Sequence, residues 1–166
     1  MNNSLQNIDT YLLFSYICIV LAHSMDEKEI KQRNVDVRYL KMAIIWAENS
    51  YCKRRQVGAL IVKDQMIISD GYNGTPSGFE NICEDANNQT KPYVLNAEAN
   101  AITKVAASNN NSKGATIYIT SSPCIECAKL IIQAGIKRVV FSERYHTEEG
   151  VNLLKRAGIS IDLIEL

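Results

Sequence analysis

The sequence predicts an α/β chain, a three-layer α/β/α sandwich with a mixed five-stranded sheet. Three observations carry that expectation. Two apolar, β-rich runs at 57–62 and 66–70 follow one another closely and read as a hairpin. Beyond them, helical and strand-like stretches alternate to the C-terminus, as in parallel strands joined by helical crossovers. The 166 residues are 46% apolar, enough for one domain with a core on each face of a sheet.

The elements follow in order. Residues 36–50, DVRYLKMAIIWAENS, put Leu40, Ala43, Ile44 and Ala47 on one helical face. VGALIV (57–62) and MIISD (66–70) are the hairpin strands, joined by Lys63, Asp64 and Gln65. GYNGTPSG (71–78) has three glycines and a proline in eight residues and reads as a structured turn. Residues 79–95 show little periodicity, and a patternless segment of that length inside a compact domain reads as a functional loop. AEANAITKVAA (97–107) is helical, with Ala101, Ile102 and Val105 on one face. ATIYIT (115–120) is a strand. A helix from Cys124 to Gly135 turns Ala128, Ile131 and Ile132 inward and stops at the glycine. RVVF (138–141) is a strand, 147–157 a helix capped by Thr147 and stopped by Gly158, and ISIDLI (159–164) the last strand. The order is α-β-β-α-β-α-β-α-β, with no internal repeat and no linker.

Composition narrows the function. Eighteen basic and eighteen acidic residues give a net charge of zero, against a protein built to grip a nucleic-acid backbone. A small phosphorylated ligand needs only a few local cations and stays open. Five cysteines, at 18, 52, 83, 124 and 127, are an odd number with one tight pair. That reads as reduced thiols with a metal or redox site in a cytoplasmic protein, not as a disulfide framework.

Residues 1–24 are set apart as a leader, with the domain at 25–166. The run YLLFSYICIVLA (11–22) is too short for a membrane span and has no basic residue before it. It reads first as a leader ahead of a natural start at Met25. An extra docked helix and an export or membrane segment are the alternatives. A chain beginning at Met25 is expected to fold and bind like the full chain.

The chemistry lies at two helix starts. Ligand sites in α/β sheets form where helices begin beyond strand ends. Asn96 precedes one such helix, and Pro123-Cys124 opens another. Cys124 and Cys127 have a spacing that serves metal binding, redox chemistry or simple burial. Glu98 lies 26 residues before Cys124 on a first helical turn. A first-turn acid is favoured by the helix dipole, and it is also where a general acid/base can stand. Zinc deaminases carry His-x-Glu followed by Pro-Cys-x-x-Cys, the glutamate not being a metal ligand.

With VGALIVKD (57–64), GYNGTPSG (71–78), AEANAI (97–102), GATIYIT (114–120) and SPCIECAKLIIQAGIKRVVF (122–141), the chain resembles the deoxycytidylate deaminases of the cytidine deaminase superfamily. The resemblance spans about 57–159, and the GYNGTPSG segment is what favours the nucleotide-monophosphate branch. It implies zinc held at positions 96, 124 and 127, with Glu98 as catalytic acid and base. It implies hydrolysis of deoxycytidylate to deoxyuridylate and ammonia in a cytoplasmic homo-oligomer, commonly a hexamer, with neither nucleic acid nor membrane as partner. Asn73 would touch the sugar, and the backbone N–H groups of Ala97 and Cys124 would steady the base carbonyl and oxyanion. Tyr145 is a further substrate-binding candidate, and Lys53, Arg54, Arg55 and Arg144 are candidates for the phosphate. Cys52 and Cys83 read as structural.

The departure is Asn96, where the family has a zinc-ligating histidine. An amide offers only a neutral oxygen, whereas zinc prefers thiolate and imidazole. The histidines, His23 and His146, are weak substitutes, His146 being the one a loop brings to the same sheet edge. The leading reading is therefore a deoxycytidylate deaminase impaired by Asn96. Its rivals are a deaminase of another nucleobase and a non-catalytic nucleotide-binding homologue.

Overall fold

The structure, a computed structural model, describes residues 27–166. The readings of residues 1–24 lie outside the described residues. The chain divides into two units, Met1–Val35 and Asp36–Leu166. In the first, residues 27–35 are helical and largely exposed.

The second unit contains α1 (36–47), β1 (Gly58–Lys63), β2 (Met66–Tyr72), α2 (Ala97–Ala106), β3 (Thr116–Ser121), α3 (Ile125–Gln133), β4 (Arg138–Glu143), α4 (Glu149–Arg156) and β5 (Ser160–Leu163). The sheet order is β2-β1-β3-β4-β5. β1 runs antiparallel to both β2 and β3, and β3, β4 and β5 are parallel. This is the mixed five-stranded sheet that the hairpin and the alternation predict.

Strand alternation sorts the core onto two faces. Ala59, Ile61, Ile117, Ile119, Val139 and Phe141 meet α2, α3 and α4. Leu60, Val62, Tyr118 and Val140 point the other way, onto Leu40 and Ala43 of α1. Ile44 departs from the predicted helical face: it is 41% exposed, because Leu40, Ala43 and Ala47 make the contact and Ile44 falls at its edge. Helix α1 also ends at residue 47, before a turn, and not at 50.

Two further boundaries differ from expectation. The hairpin turn is the pair Asp64 and Gln65, both left-handed (φ 51° and 62°), the backbone that matches strand twist in a two-residue loop. Helix α4 starts at Glu149 with Glu148 at its cap and no side-chain capping bond, so Thr147 does not cap it. The predicted stops hold: Gly135 (φ 71°) and Gly158 (φ 72°) lie just past α3 and α4 in the conformation that ends helices.

One buried ion pair ties α1 to the sheet. Asp36 is 1% exposed. It receives two hydrogen bonds from Arg138, each 2.8 Å, and one from the Tyr118 hydroxyl at 2.7 Å. Burial, then Asp36, pushes the Tyr118 hydroxyl well above the ordinary tyrosine range. Removing Asp36 takes two charge-assisted bonds from Arg138, which keeps the one to Asp162 at 2.8 Å, and takes the acceptor from the Tyr118 hydroxyl, which costs more than the pair contributes. Asp36→Ala is expected to lower stability by roughly 3 kcal/mol in urea unfolding, with little change at the active site.

Two glycines seat the helices that matter for function. A Cβ on Gly71 of β2 would overlap the Ala97 carbonyl oxygen and stand 2.6 Å from the Ala101 amide nitrogen. A Cβ on Gly150 of α4 would overlap the Pro123 carbonyl and stand 2.8 Å from Cys124 backbone atoms. The starts of α2 and α3 can therefore approach their neighbours only because these side chains are absent.

Candidate active site

Helices α2 and α3 begin at the same edge of the unit. Asn96 is the N-cap of α2, with extended backbone (φ −71°, ψ 156°), and makes no side-chain cap bond. Its approach is fixed by Leu95, which pairs with Gly74 through bonds of 2.8 and 3.0 Å. Cys124 is the N-cap of α3 (φ −71°, ψ 171°), and Cys127 lies in its first turn. The Asn96 side chain turns towards them. Its amide nitrogen donates to Cys127 Sγ at 3.2 Å and to Cys124 Sγ at 3.4 Å.

The two sulfurs differ. Cys124 is held down to about 5, first by a hydrogen bond from the Cys127 thiol and then by the N–H groups of Cys127 and Glu126 at the helix start. Cys127 is pushed far up, because its proton is committed to Cys124 and because it is buried. Glu98 is 5% exposed. Burial raises its carboxyl from 4.5 to about 7, and the Cys124 charge adds to the rise. The group is balanced between acid and base where proton transfer is most useful.

These groups open on a cavity of about 350 Å³. Asn73, Asn96, Ala97, Glu98, Cys124 and Tyr145 line it, as the sequence predicts, while Cys127 is buried behind it. Arg54 and Arg55 also line it, whereas Lys53 and Arg144 do not. Asn73 is already engaged: its amide donates to the Arg55 carbonyl and accepts from the Val57 N–H, both at 2.8 Å. These bonds hold the 55–57 backbone.

Sequence reasoning missed three features of the wall. Cys52 and Cys83 form a disulfide, so the expectation of reduced thiols is corrected for these two. They lie 31 residues apart in irregular segments, and an odd cysteine count does not reveal such a pair. Glu84, buried in the 79–95 loop, faces the cavity, and no sequence signal marks it. Ser121 lies at the end of β3, and its hydroxyl is the buried side-chain oxygen without a partner among the described residues.

The family model for the "Cytidine and deoxycytidylate deaminase zinc-binding region" matches residues 33–143. The chain belongs to this family. Among its relatives, the deoxycytidylate deaminase of Saccharomyces cerevisiae is 34% identical over 82% of this chain, which spans about half (48%) of that protein. The mouse deoxycytidylate deaminase is 40% identical over 74% of this chain and 75% of its own length. The dCMP deaminase of the cyanophage S-TIM5, solved in complex with dCMP and dUMP, superposes with a TM-score of 0.76 at 40% identity, covering 82% of this chain and 97% of that one. That likeness confirms the deaminase fold.

The family's region is zinc-binding, and this chain meets that requirement only in part. Cys124 and Cys127 are good zinc donors. The third position presents an amide, with its N–H₂ facing the sulfurs as a hydrogen-bond donor. No group of three His, Cys, Asp or Glu that could hold a metal occurs among the described residues. His146 lines the cavity but belongs to no such group. The donor set therefore does not fit a three-ligand zinc site, and the misfit is confined to Asn96.

Proposed function

We propose that the cavity binds deoxycytidylate and that the chain hydrolyses it to deoxyuridylate and ammonia, at a rate lowered by Asn96. The observation that carries this is Glu98, a buried carboxyl titrating near 7 between two helix starts at the end of an open cavity. In this reading Glu98 takes a proton from the attacking water and gives it to N3 of the cytosine as the water oxygen bonds to C4, then takes the remaining hydroxyl proton and passes it to the amine as the C4–N bond breaks, one residue acting as base and acid in turn. The N–H groups of Ala97 and Cys124 steady the base carbonyl and the developing oxyanion. Arg54 and Arg55, the arginines that line the cavity, would meet the phosphate. Arg55 is oriented by Glu143 at 2.7 Å and lies 5.6 Å from the Tyr145 ring, a surface for stacking.

The relatives named deoxycytidylate deaminase, and the phage structure holding dCMP and dUMP, support this choice of substrate. Zinc, in sites of this family, supplies an acidified water. Cys124, Cys127 and Asn96 are the proposed metal position, with Asn96 the weak member. We also take 25–166 as the deaminase domain and the cytoplasm as its compartment. A homo-oligomer belongs to the same reading. Helix α1 leaves Met42 (44%), Ile44 (41%) and Ile45 (62%) exposed, an apolar surface suited to further packing.

A panel of deoxycytidylate, cytidylate, deoxycytidine, adenosine and guanine, with product chromatography, tests the assignment. Deoxyuridylate should be the main product. Preferred turnover of another base would transfer the reading to a different deaminase. The second reading, a non-catalytic nucleotide-binding homologue, rests on Asn96 alone. Tight deoxycytidylate binding, with no turnover even after zinc is added, would establish it.

A further inference from the structure

The cavity wall that carries Arg54 and Arg55 belongs to no helix or strand. Residues 52–57 run as irregular chain between α1 and β1, and side chains from elsewhere hold them. Asn73 holds one end, at Arg55 and Val57. Glu84 holds the other. One of its carboxylate oxygens accepts the Lys53 N–H at 2.9 Å and the Arg54 N–H at 3.2 Å. Glu84 is 8% exposed and forms no ion pair among the described residues, so these two amides are the polar contacts seen for its charge. Immediately before it, Cys83 is bonded to Cys52, immediately before Lys53. The Arg54 guanidinium reaches Thr90 Oγ1 at 3.3 Å, and Thr90 pairs with Glu84 as an isolated bridge.

We propose that Glu84 is a positioning residue for the nucleotide's phosphate, and that the Cys52–Cys83 bond makes its hold on Lys53 and Arg54 releasable by a dithiol. This rests on the reading of the cavity as a deoxycytidylate site. The physical case is one of preorganisation. Two cations set on irregular chain bind a phosphate strongly only if their backbone is fixed beforehand, since otherwise binding must order it. Glu84 supplies that order through charge-assisted bonds, and the disulfide fixes the neighbouring residues so that the bonds close at little entropic cost. Glu84 touches the backbone of Arg54 and not the reacting atoms, so it acts through Arg54 and Arg55.

The switch follows from the bond's place. Cys52 lines the cavity and is 5% exposed, against 1% for Cys83, so the Cys52 side is where a small dithiol would meet the bond. Reduction breaks the S–S bond with two electrons and two protons. Cys52 and Cys83 are left as thiols, and the dithiol closes to its own disulfide. In a cytoplasmic chain such a bond is a reversible one. Among the described residues, the side-chain hydrogen bonds that then tie the loop at 79–95 to 52–54 are those of Glu84 and Thr90.

The test uses the full chain and calorimetric binding of deoxycytidylate and of deoxycytidine, which lacks the phosphate. In the oxidised chain Glu84→Ala should weaken deoxycytidylate at least about tenfold, the scale of lost charge-assisted hydrogen bonds, and leave deoxycytidine within about threefold. Glu84→Gln, which keeps a carbonyl acceptor, should restore most of the loss. Dithiothreitol, or Cys52→Ser with Cys83→Ser, should weaken deoxycytidylate in the same selective way. Equal losses for both ligands would show a merely structural role and overturn the proposal, as would unchanged affinities. A second readout is independent of any ligand: hydrogen exchange at the Lys53 and Arg54 amides should quicken at least about tenfold in Glu84→Ala and on reduction. If no nucleotide binds in any state, the functional reading falls with the phosphate role, and exchange alone decides the clamp, unchanged rates overturning it.

Discussion

Asn96→His is expected to raise deoxycytidylate turnover at least about tenfold, a recovery of about 1.4 kcal/mol in transition-state stabilisation. The binding cavity and the chemistry depend on different residues. Arg54, Arg55, Tyr145 and the helix starts shape the cavity without a metal. The metal position has two sulfurs and an amide that meets them as a donor. A first-coordination imidazole should matter more than an outer partner, whose loss alone typically costs about 10- to 100-fold. Asn96 is exposed at the mouth of α2, so an imidazole finds room there. Metal content after dialysis is the parallel readout: about one zinc per chain in the variant and clearly less in the chain as it stands. Equal zinc and equal turnover would sink the explanation. Asn96→Ala then separates the remaining cases. Activity kept means that another residue such as His146 serves, and activity lost means that the amide oxygen itself is a ligand.

The second large effect belongs to Glu98. Glu98→Gln should reduce turnover by about 10²- to 10⁴-fold, the usual contribution of a placed acid/base, with deoxycytidylate affinity largely kept. The same substitution should stabilise the fold at alkaline pH. The carboxyl holds its proton up to about 7 in the folded chain against 4.5 for the free group. Its titration therefore favours folding at low pH, and that contribution is lost as pH rises through about 7. Glutamine never ionises. The gap between variant and parent should open above 4.5 and be complete above about 7, reaching roughly 3 kcal/mol for so buried a group. Melting temperatures at pH 5 and pH 8.5 check it: little difference at the first and a higher value for the variant at the second. The two outcomes together would mark Glu98 as a residue that trades stability for its chemistry.

Much of the site was legible because it is written locally. The helix start at Cys124 is marked by a change of hydrophobic period just after β3, and the one at Asn96 by a helical run that follows a patternless loop; a strand-to-helix edge is where ligands lie. Glu98, Cys124 and Cys127 follow from spacing along single turns. What escaped was set by contacts between segments with no period of their own. Glu84 holds amides some thirty residues away, and the disulfide joins two stretches of coil. That the Asn73 amide bridges Arg55 and Val57 is likewise seen only in the structure. Ile44 fits the helical face by spacing, but the width of the contact with β1, β3 and β4 leaves it out.

By itself, then, the sequence determined the order of elements and the mixed sheet, and put Glu98, Cys124 and Cys127 at helix starts, since propensity, period and motif spacing act over a few residues. Only the tertiary structure decided how the wall around Arg54 and Arg55 is held and what Asn96 does with its amide. Those outcomes depend on which distant groups arrive within hydrogen-bond reach, a distance in space that no spacing along the chain encodes.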